Sequence, residues 1–365
     1  MNKTKLIMVG GFLGAGKTTL LWQTAVQLMK QGLKVGLITN DQAPDLVDTK
    51  LLNLLDLPVA EVNGSCFCCN FDGFTSAIQH IKREIAADII LAEPVGSCTD
   101  LSATILQPIK KYWNRDIELL PLSVLIDPIR LKSLNKTTSL TLHPDASYIL
   151  EKQLEESDFI LLNKADTLTN SELVAIKHSV QARFPSSQVM ALSAQTGLGV
   201  SDWINSLQTF SFSFAHKIVQ VDYDRYAHGE AVLGWLNGTL GLSGGLTNWD
   251  DFLKMLMLCL GQQFDTDNLP VGHVKVFAET PENFALGNLT GGIETLSLRG
   301  TVGESTQVKL TINARVETSP ENLNRIVRFA IQECSGEALR VTIESWRYMH
   351  PGRPTPTHRF EKAYQ

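Results

Sequence analysis

Gly11, Gly16, Lys17 and Thr18 occur at the spacing with which a backbone loop encloses phosphate groups, inside the run Gly10-Gly11-Phe12-Leu13-Gly14-Ala15-Gly16-Lys17-Thr18-Thr19. The small residues Gly14, Ala15 and Gly16 let main-chain N–H groups turn toward phosphate oxygens, and the start of a following helix adds partial positive charge. Lys17 has the reach and charge for the terminal phosphates, while the hydroxyl of Thr18, with Thr19 beside it, suits a phosphate-bound magnesium ion. The competing reading is a glycine-rich turn with an unrelated lysine. An apolar strand before the run and a helix-prone segment after it favour the phosphate loop.

A second group of residues selects the base. The strand expected at Phe159 to Asn163 runs into Asn163-Lys164-Ala165-Asp166, the order found in guanine-binding loops. A carboxylate only accepts hydrogen bonds, so Asp166 suits the two N–H groups on the guanine edge, whereas adenine presents an acceptor there. GTP is therefore expected rather than ATP. A further strand leads to Ser193-Ala194, placed for a backbone contact to the base. The apolar run Ile89 to Ala92 ends in Glu93-Pro94-Val95-Gly96. With Lys17, Glu93 and Gly96 are the candidate catalytic residues: Glu93 positions the hydrolytic water or stands behind the magnesium ion, and Gly96 brings its amide toward the γ-phosphate. A solvated strand-end carboxylate is the alternative for Glu93. Asp41 and Asp45 are either magnesium or metal contacts or ordinary loop residues.

Six cysteines occur, at 66, 68, 69, 98, 259 and 334. Cys66, Cys68 and Cys69 place three thiols within four residues. Three thiolates on one ion leave a tetrahedral metal with one open position, which suits transfer better than permanent binding. Zinc is the leading ion; cobalt, nickel and copper(I) stay open, as do a reduced metal-free turn and a local redox pair. Cys98 lies two residues beyond Gly96 and is either a fourth thiolate recruited in one nucleotide state or a small buried residue. Cys259, Cys334 and the Met255 and Met257 pair read as helix packing.

The elements that must hold these groups follow from the apolar pattern. Up to about residue 212, strands at Leu6 to Val9, Val35 to Thr39, Ile89 to Ala92, Leu122 to Asp127, Phe159 to Asn163 and Val189 to Leu192 alternate with helical segments. That is an α/β domain with a parallel sheet of the P-loop NTPase kind, 1–212. Residues 213–349 read as a smaller ferredoxin-like α+β domain: strands near 231–240, 271–277, 308–316 and 339–346 with helices at 249–264 and 321–334. Residues 350–365 read as a loosely held tail. With 44% hydrophobic residues, 365 residues suffice for two cores. A net charge of -6 argues against nucleic acid as a partner. No apolar run is long enough to span a bilayer, so no membrane partner and a cytoplasmic location are expected.

The run 10–19, the Cys-x-Cys-Cys at 66–69, the Glu-x-x-Gly at 93–96 and the Asn-Lys-Ala-Asp at 163–166 stand in one order. In that order they resemble the CobW-like metallochaperone GTPases, relatives of the urease and hydrogenase nickel-insertion GTPases. The resemblance covers the first domain well and the second only by layout. It implies a GTP-hydrolysing protein that delivers a transition metal to an unidentified client protein, with a link to cobalamin-related metabolism and a nucleotide-dependent homodimer as further expectations. Two departures stand out: a histidine-rich stretch is absent, His216 and His228 being isolated in sequence, and the segment after the second strand lacks a Glu-Phe-Gly run. A regulatory GTPase without a metal role and a nucleotide-dependent small-molecule kinase are the rival readings.

Overall fold

The computed structural model describes residues 3–40, 47–53, 57–62, 64–134, 142–209 and 217–364. The first unit runs β1 (Thr4–Gly11), α1 (Lys17–Lys30), β2 (Val35–Asn40), α2 (Val47–Asn53), β3 (Val59–Val62), α3 (Phe71–Ile85) and β4 (Ile89–Glu93). A π-helical turn at Ser102–Leu106 leads into α4 (Gln107–Tyr112), followed by β5 (Ile117–Leu119), β6 (Ser123–Ile126), α5 (Pro128–Leu134) and α6 (Pro144–Glu156). Then come β7 (Phe159–Leu162), α7 (Asn170–Arg183), β8 (Gln188–Ala191), α8 (Val200–Thr209) and α9 (Tyr223–Ala231). The strands form one parallel sheet in the order β3-β2-β4-β1-β6-β7-β8, with β5 also alongside β1.

The strands are apolar in unbroken runs because helices cover both faces. Leu6 and Met8 point into a core with Phe74, Ile78 and Ile149, while Ile7 and Val9 point into the opposite one with Leu20, Leu21 and Trp203. The polar strand ends therefore collect along one edge. β1 stops at the phosphate loop, β2 at Asn40, β4 at Glu93, β6 before Asp127 and β7 before Asn163.

The second unit is an antiparallel sheet: β9 (Gly234–Asn248), α10 (Trp249–Thr266), β10 (Val271–Glu279), β11 (Phe284–Leu289), β12 (Ser297–Thr301), β13 (Glu304–Val316), α11 (Pro320–Ser335) and β14 (Leu339–Met349). Its order is β12-β11-β10-β13-β9-β14. Removing β11 and β12 leaves the order of a split βαβ sheet, so two strands extend the ferredoxin-like layout at one edge. Asn248 caps α10 by accepting from the amides of Asp250 and Asp251, and Ser319 caps α11 with Pro320 in its first turn. Met257 is buried under this sheet, Met255 is exposed, and Cys259 and Cys334 sit half-buried at the rim of the same core.

Two expectations change, and one lies beyond what is described. The 212/213 division falls within 210–216, outside the described residues. α9, assigned by sequence to the second domain, packs its Tyr226 into the core of the first sheet. The tail is also docked rather than loose: the Thr357 amide donates to the Cys68 carbonyl (2.8 Å), that of Phe360 to Ala103 (3.1 Å), and Arg359 Nε donates to Asp100 Oδ2 (2.7 Å). A proline-rich segment has no helical or strand period, and its amide partners lie more than 250 residues away, where no local pattern reveals them.

The two sheets are joined through Arg130 on α5, buried, whose Nη2 donates to the carbonyls of Val271 (2.7 Å) and Gly272 (2.6 Å) at the start of β10. Arg130→Met keeps the aliphatic bulk and strands both carbonyls, so a loss of about 2–4 kcal/mol is expected. Urea unfolding checks it; a midpoint equal to wild type contradicts the joint.

Candidate nucleotide site and cysteine cluster

The phosphate loop turns back on itself before α1, with the Ala15 amide donating to Phe12 O (3.2 Å) and Leu20 N to Gly16 O (3.0 Å). Gly16 has φ +96°, and a Cβ there would lie 2.3 Å from Asn163 Nδ2, so only glycine fits. The loop opens on a cavity of about 460 Å³, within the roughly 300–1,000 Å³ typical of small-molecule sites. Gly14, Gly16, Lys17, Thr18 and Thr19 line it from one side, and Glu93 and Gly96 from the end of β4. Lys164, Asp166, Ser193 and Ala194 line the far end. Gly11 and Ala15, expected at the ligand, stand behind the wall. Gly11 is pressed against Leu125, and the Ala15 carbonyl accepts from Asn163 Nδ2 at 2.7 Å.

Asn163 lines the cavity and also acts as a brace: its Oδ1 accepts from the Ala194 amide (2.9 Å), tying the phosphate loop to the loop after β8. Lys164 lies with φ +57° and donates to Asp127 Oδ2 (3.2 Å) and Thr290 Oγ1 (3.3 Å). The Asp166 carboxylate is exposed and faces the cavity.

At the phosphate end the polar groups are dense. Thr18 Oγ1 donates to Asp48 Oδ1 (2.7 Å) or Glu93 Oε1 (3.2 Å), and Lys17 Nζ lies 3.8 Å from Glu93 Oε1. Burial lowers the Lys17 pKa, opposed by the Glu93 charge, and burial with the Asp48 charge pushes Glu93 up to about 7. A hydroxyl beside two carboxylates, one of them with a buried unpartnered oxygen at Glu93 Oε2, is a donor set that suits magnesium. Asp48, on the first turn of α2, is the acid that sequence reading missed. The strand-end pattern drew attention to Asp41 and Asp45, which lie outside the described residues.

The three cysteines meet as expected. Sγ separations are 2.9 Å for Cys66 to Cys68, 3.2 Å for Cys66 to Cys69 and 3.8 Å for Cys68 to Cys69. Zinc–sulfur bonds of about 2.3 Å place tetrahedral ligands roughly 3.8 Å apart, so loading requires the two shorter edges to open slightly. Cys98 is buried against the same sulfurs. Contacts with Cys68, Cys69 and Cys98 hold the Cys66 thiol well below its ordinary value, while contact with Cys66 pushes Cys68 and Cys98 well up and Cys69 up to about 11. The Thr355 amide of the docked tail donates to Cys69 Sγ at 3.2 Å.

Asn40, at the end of β2, joins the two places. It lines the nucleotide cavity, yet its Nδ2 donates to Val62 O (2.7 Å) and Ser65 O (2.8 Å) and its Oδ1 accepts from the Phe67 amide (2.8 Å), which holds the cysteine loop. Sequence offered no sign of this beyond a polar residue at a strand end. The segment after Glu93 makes a second connection. Gln153 Nε2 donates to Gly96 O (3.0 Å) and Cys98 O (2.7 Å), Ser97 donates to Glu230, and Glu156 accepts from Thr99 Oγ1 and the Ser102 amide. Gly96 leaves no room for a Cβ, which would lie 2.7 Å from Leu13 of the phosphate loop.

His228 is not isolated in space. Its Nδ1 is 2.7 Å from Asp145 Oδ2, and Asp145 also pairs with Arg225 and lies near His143, which ties α9 to α6. His216 lies outside the described residues.

A family profile described as "CobW/HypB/UreG, nucleotide-binding domain" matches residues 5–191, just over half of the chain. The chain belongs to this family. Among curated relatives it is 24% identical to a zinc-regulated GTPase metalloprotein activator 1 from Dictyostelium discoideum over 218 residues, 52% of this chain and 46% of that protein. It is also 24% identical to a zinc chaperone CobW from Sinorhizobium over 208 residues, 50% of this chain and 56% of that protein. The chain spans about half the length of the curated relatives it matches. Among solved structures, a zinc(II)-bound YjiA GTPase from E. coli is similar at 17% identity over 92% of this chain and 100% of that one, with a TM-score of 0.37. HypB from Helicobacter pylori in complex with nickel is similar at 16% identity over 58% and 92%, with a TM-score of 0.40. Among the described residues, no helix of this family member is long and apolar enough to cross a membrane.

Burial pushes the carboxyls of Glu156 and Glu230 up to about 8, above their ordinary 4.5. The folded protein then holds these protons more tightly than the unfolded chain. The stability this supplies is complete below about 4.5 and is lost as pH rises through about 8. Thermal unfolding of the metal- and nucleotide-free protein is expected to fall in temperature from about pH 5.5 to about pH 8.5. The double change Glu156→Gln and Glu230→Gln flattens that slope; a slope unchanged by it assigns the pH dependence elsewhere.

Proposed function

We propose that this protein is a GTP-hydrolysing metallochaperone that carries a transition metal, zinc first, on Cys66, Cys68 and Cys69 and passes it to a client protein. Lys17 and the loop amides hold the phosphates, Asp166 and the Ser193-Ala194 backbone hold guanine, and Glu93 orients water toward the γ-phosphate. Thr18, Asp48 and Glu93 are the residues that would hold magnesium, directly or through water; the ion, when bound, neutralises charge on the phosphates.

The observation that carries this reading is Asn40, one side chain shared by the nucleotide cavity and the cysteine loop. Displacement of Asn40 by an incoming nucleotide loosens three hydrogen bonds on the cysteine loop, and movement of Gly96 carries Cys98 with it. Cys98 serves as a fourth thiolate in one nucleotide state, so that hydrolysis changes the coordination number and frees the ion. Turnover is slow without a partner, since no arginine finger is assigned. A GTP-dependent homodimer is the assembly that fits this cycle.

The test is zinc, cobalt and nickel titration of chelator-treated protein with GTP hydrolysis followed on the same samples. Wild type is expected to bind zinc and to change its turnover; Cys66→Ser with Cys68→Ser and Cys69→Ser abolishes both effects. Asn40→Ala, which removes three hydrogen bonds from the cysteine loop, is expected to weaken zinc binding by about tenfold and to lose the response of turnover to zinc. Hydrolysis indifferent to metal in wild type would leave a plain GTPase.

A further inference from the structure

The wall of the nucleotide cavity opposite the phosphate loop is supplied by the antiparallel sheet, and it brings a cation to the magnesium ligands. Lys275, on β10, lines the cavity, and its Nζ is paired with Asp48 Oδ1, the same oxygen that accepts from Thr18. Lys17 and Lys275 thus balance Asp48 and Glu93 in a space closed to water on most sides. Other cations on that wall are committed elsewhere. Arg315 donates to Leu236 O and Asn237 Oδ1 and stacks on Trp235, and Arg299 lies over Trp22. His273, its pKa held far down by burial and the neighbouring positive charges, is neutral.

We propose that Lys275 is a built-in counter-ion that holds Asp48 while the site lacks nucleotide and moves to the terminal phosphate when magnesium and GTP arrive, so that this sheet discriminates GTP from GDP. The inference rests on the nucleotide site proposed above and deepens it. A magnesium ion held by Thr18, Asp48 and Glu93 would draw on the same Asp48 oxygen, and a half-buried ammonium that loses its carboxylate needs another anion close by. The γ-phosphate brings that anion; a diphosphate ends one phosphate short. Lys275 and Lys17 then grip the terminal phosphate from two walls, one from each sheet.

The exchange also reports the nucleotide to the second sheet. α2, which carries Asp48, is tied to that sheet at two further points: the Val47 amide donates to Asn313 Oδ1 (2.9 Å), and Lys50 pairs with Glu279. With the packing of Val47 on Phe277 and Leu286, these ties keep α2 on the second sheet when the Lys275–Asp48 pair breaks, so a shift of Asp48 is passed to that sheet.

The experiment uses the full chain with magnesium and two fluorescent nucleotides, GDP and a non-hydrolysable GTP analogue, each titrated to equilibrium with wild type, Lys275→Gln, Lys275→Arg and, as a surface control, Lys254→Gln on the exposed face of α10. Wild type is expected to favour the triphosphate. Lys275→Gln loses about tenfold in triphosphate affinity, the scale of one charge-assisted contact, and less than about twofold for GDP. Lys275→Arg restores most of the preference, and Lys254→Gln leaves it intact. Melting without nucleotide and magnesium adds a readout independent of turnover, with Lys275→Gln melting below wild type because Asp48 loses its partner. Equal losses for both nucleotides, or no loss for either, overturn the assignment of Lys275. Wild type that binds neither nucleotide overturns the nucleotide site itself, a result distinguishable from the first.

Discussion

A parallel sheet buried on both faces can place polar chemistry only along its edges, and in this chain the carboxyl edge gathers nearly all of it. The phosphate loop, Asn40, the cysteine loop, Glu93, Asp127, Asn163 and Ser193 each stand at or just after the end of a strand. Each strand ends where its apolar run meets a residue that cannot be buried without a partner. The partners at this edge are one another: Asn163 bonds to the phosphate loop and the loop after β8, and Asn40 bonds to the cysteine loop. Rigidity of the two apolar cores keeps these bonds in register, so a change at one strand end is felt at the next.

Electrostatics gives the same edge its sensitivity. Ser97, Thr99 and Asp100 are each held by a carboxyl or contribute one: Glu230, Glu156 and the Asp100 side chain itself, which accepts from Arg359 and Tyr223. Burial raises all three acids above their ordinary range, and only Asp100 has a cation in contact. The segment between Glu93 and Asp100 is therefore fixed by directional hydrogen bonds more than by paired charge. Such bonds tolerate rearrangement when a phosphate is added or removed, whereas an apolar core in the same position would resist it.

The antiparallel sheet and the tail complete the site from outside. Arg130 anchors the start of β10 at Val271 and Gly272, and β10 presents Lys275 to Asp48 three positions beyond the second of these. The tail places Thr355 over Cys69 and Thr357 along Cys68 and Cys69, closing one side of the thiol cluster with backbone amides. Neither contribution belongs to the phosphate-loop fold as such; both depend on chain far from it in sequence.

The residues legible in the sequence were those whose chemistry is tied to local spacing. Gly16, Lys17 and Thr18, Asn163 to Asp166, and Cys66, Cys68 and Cys69 each stand within a few positions of the other members of their group, so their pattern survives in one dimension. Strands β1, β4 and β7 were legible because burial on both faces demands unbroken apolar runs; β3, β5, β11 and β12 are short or carry glycines and exposed polar residues, and left no such trace. Asn40, Asp48 and Lys275 look ordinary in sequence, because each acquires its role from a partner 27, 30 or 227 residues away. The sequence by itself determined which residues form the phosphate loop and which thiols gather. Tertiary structure alone decided which polar side chains connect them, because a hydrogen bond between distant strand ends exists only once the sheet has brought those ends together.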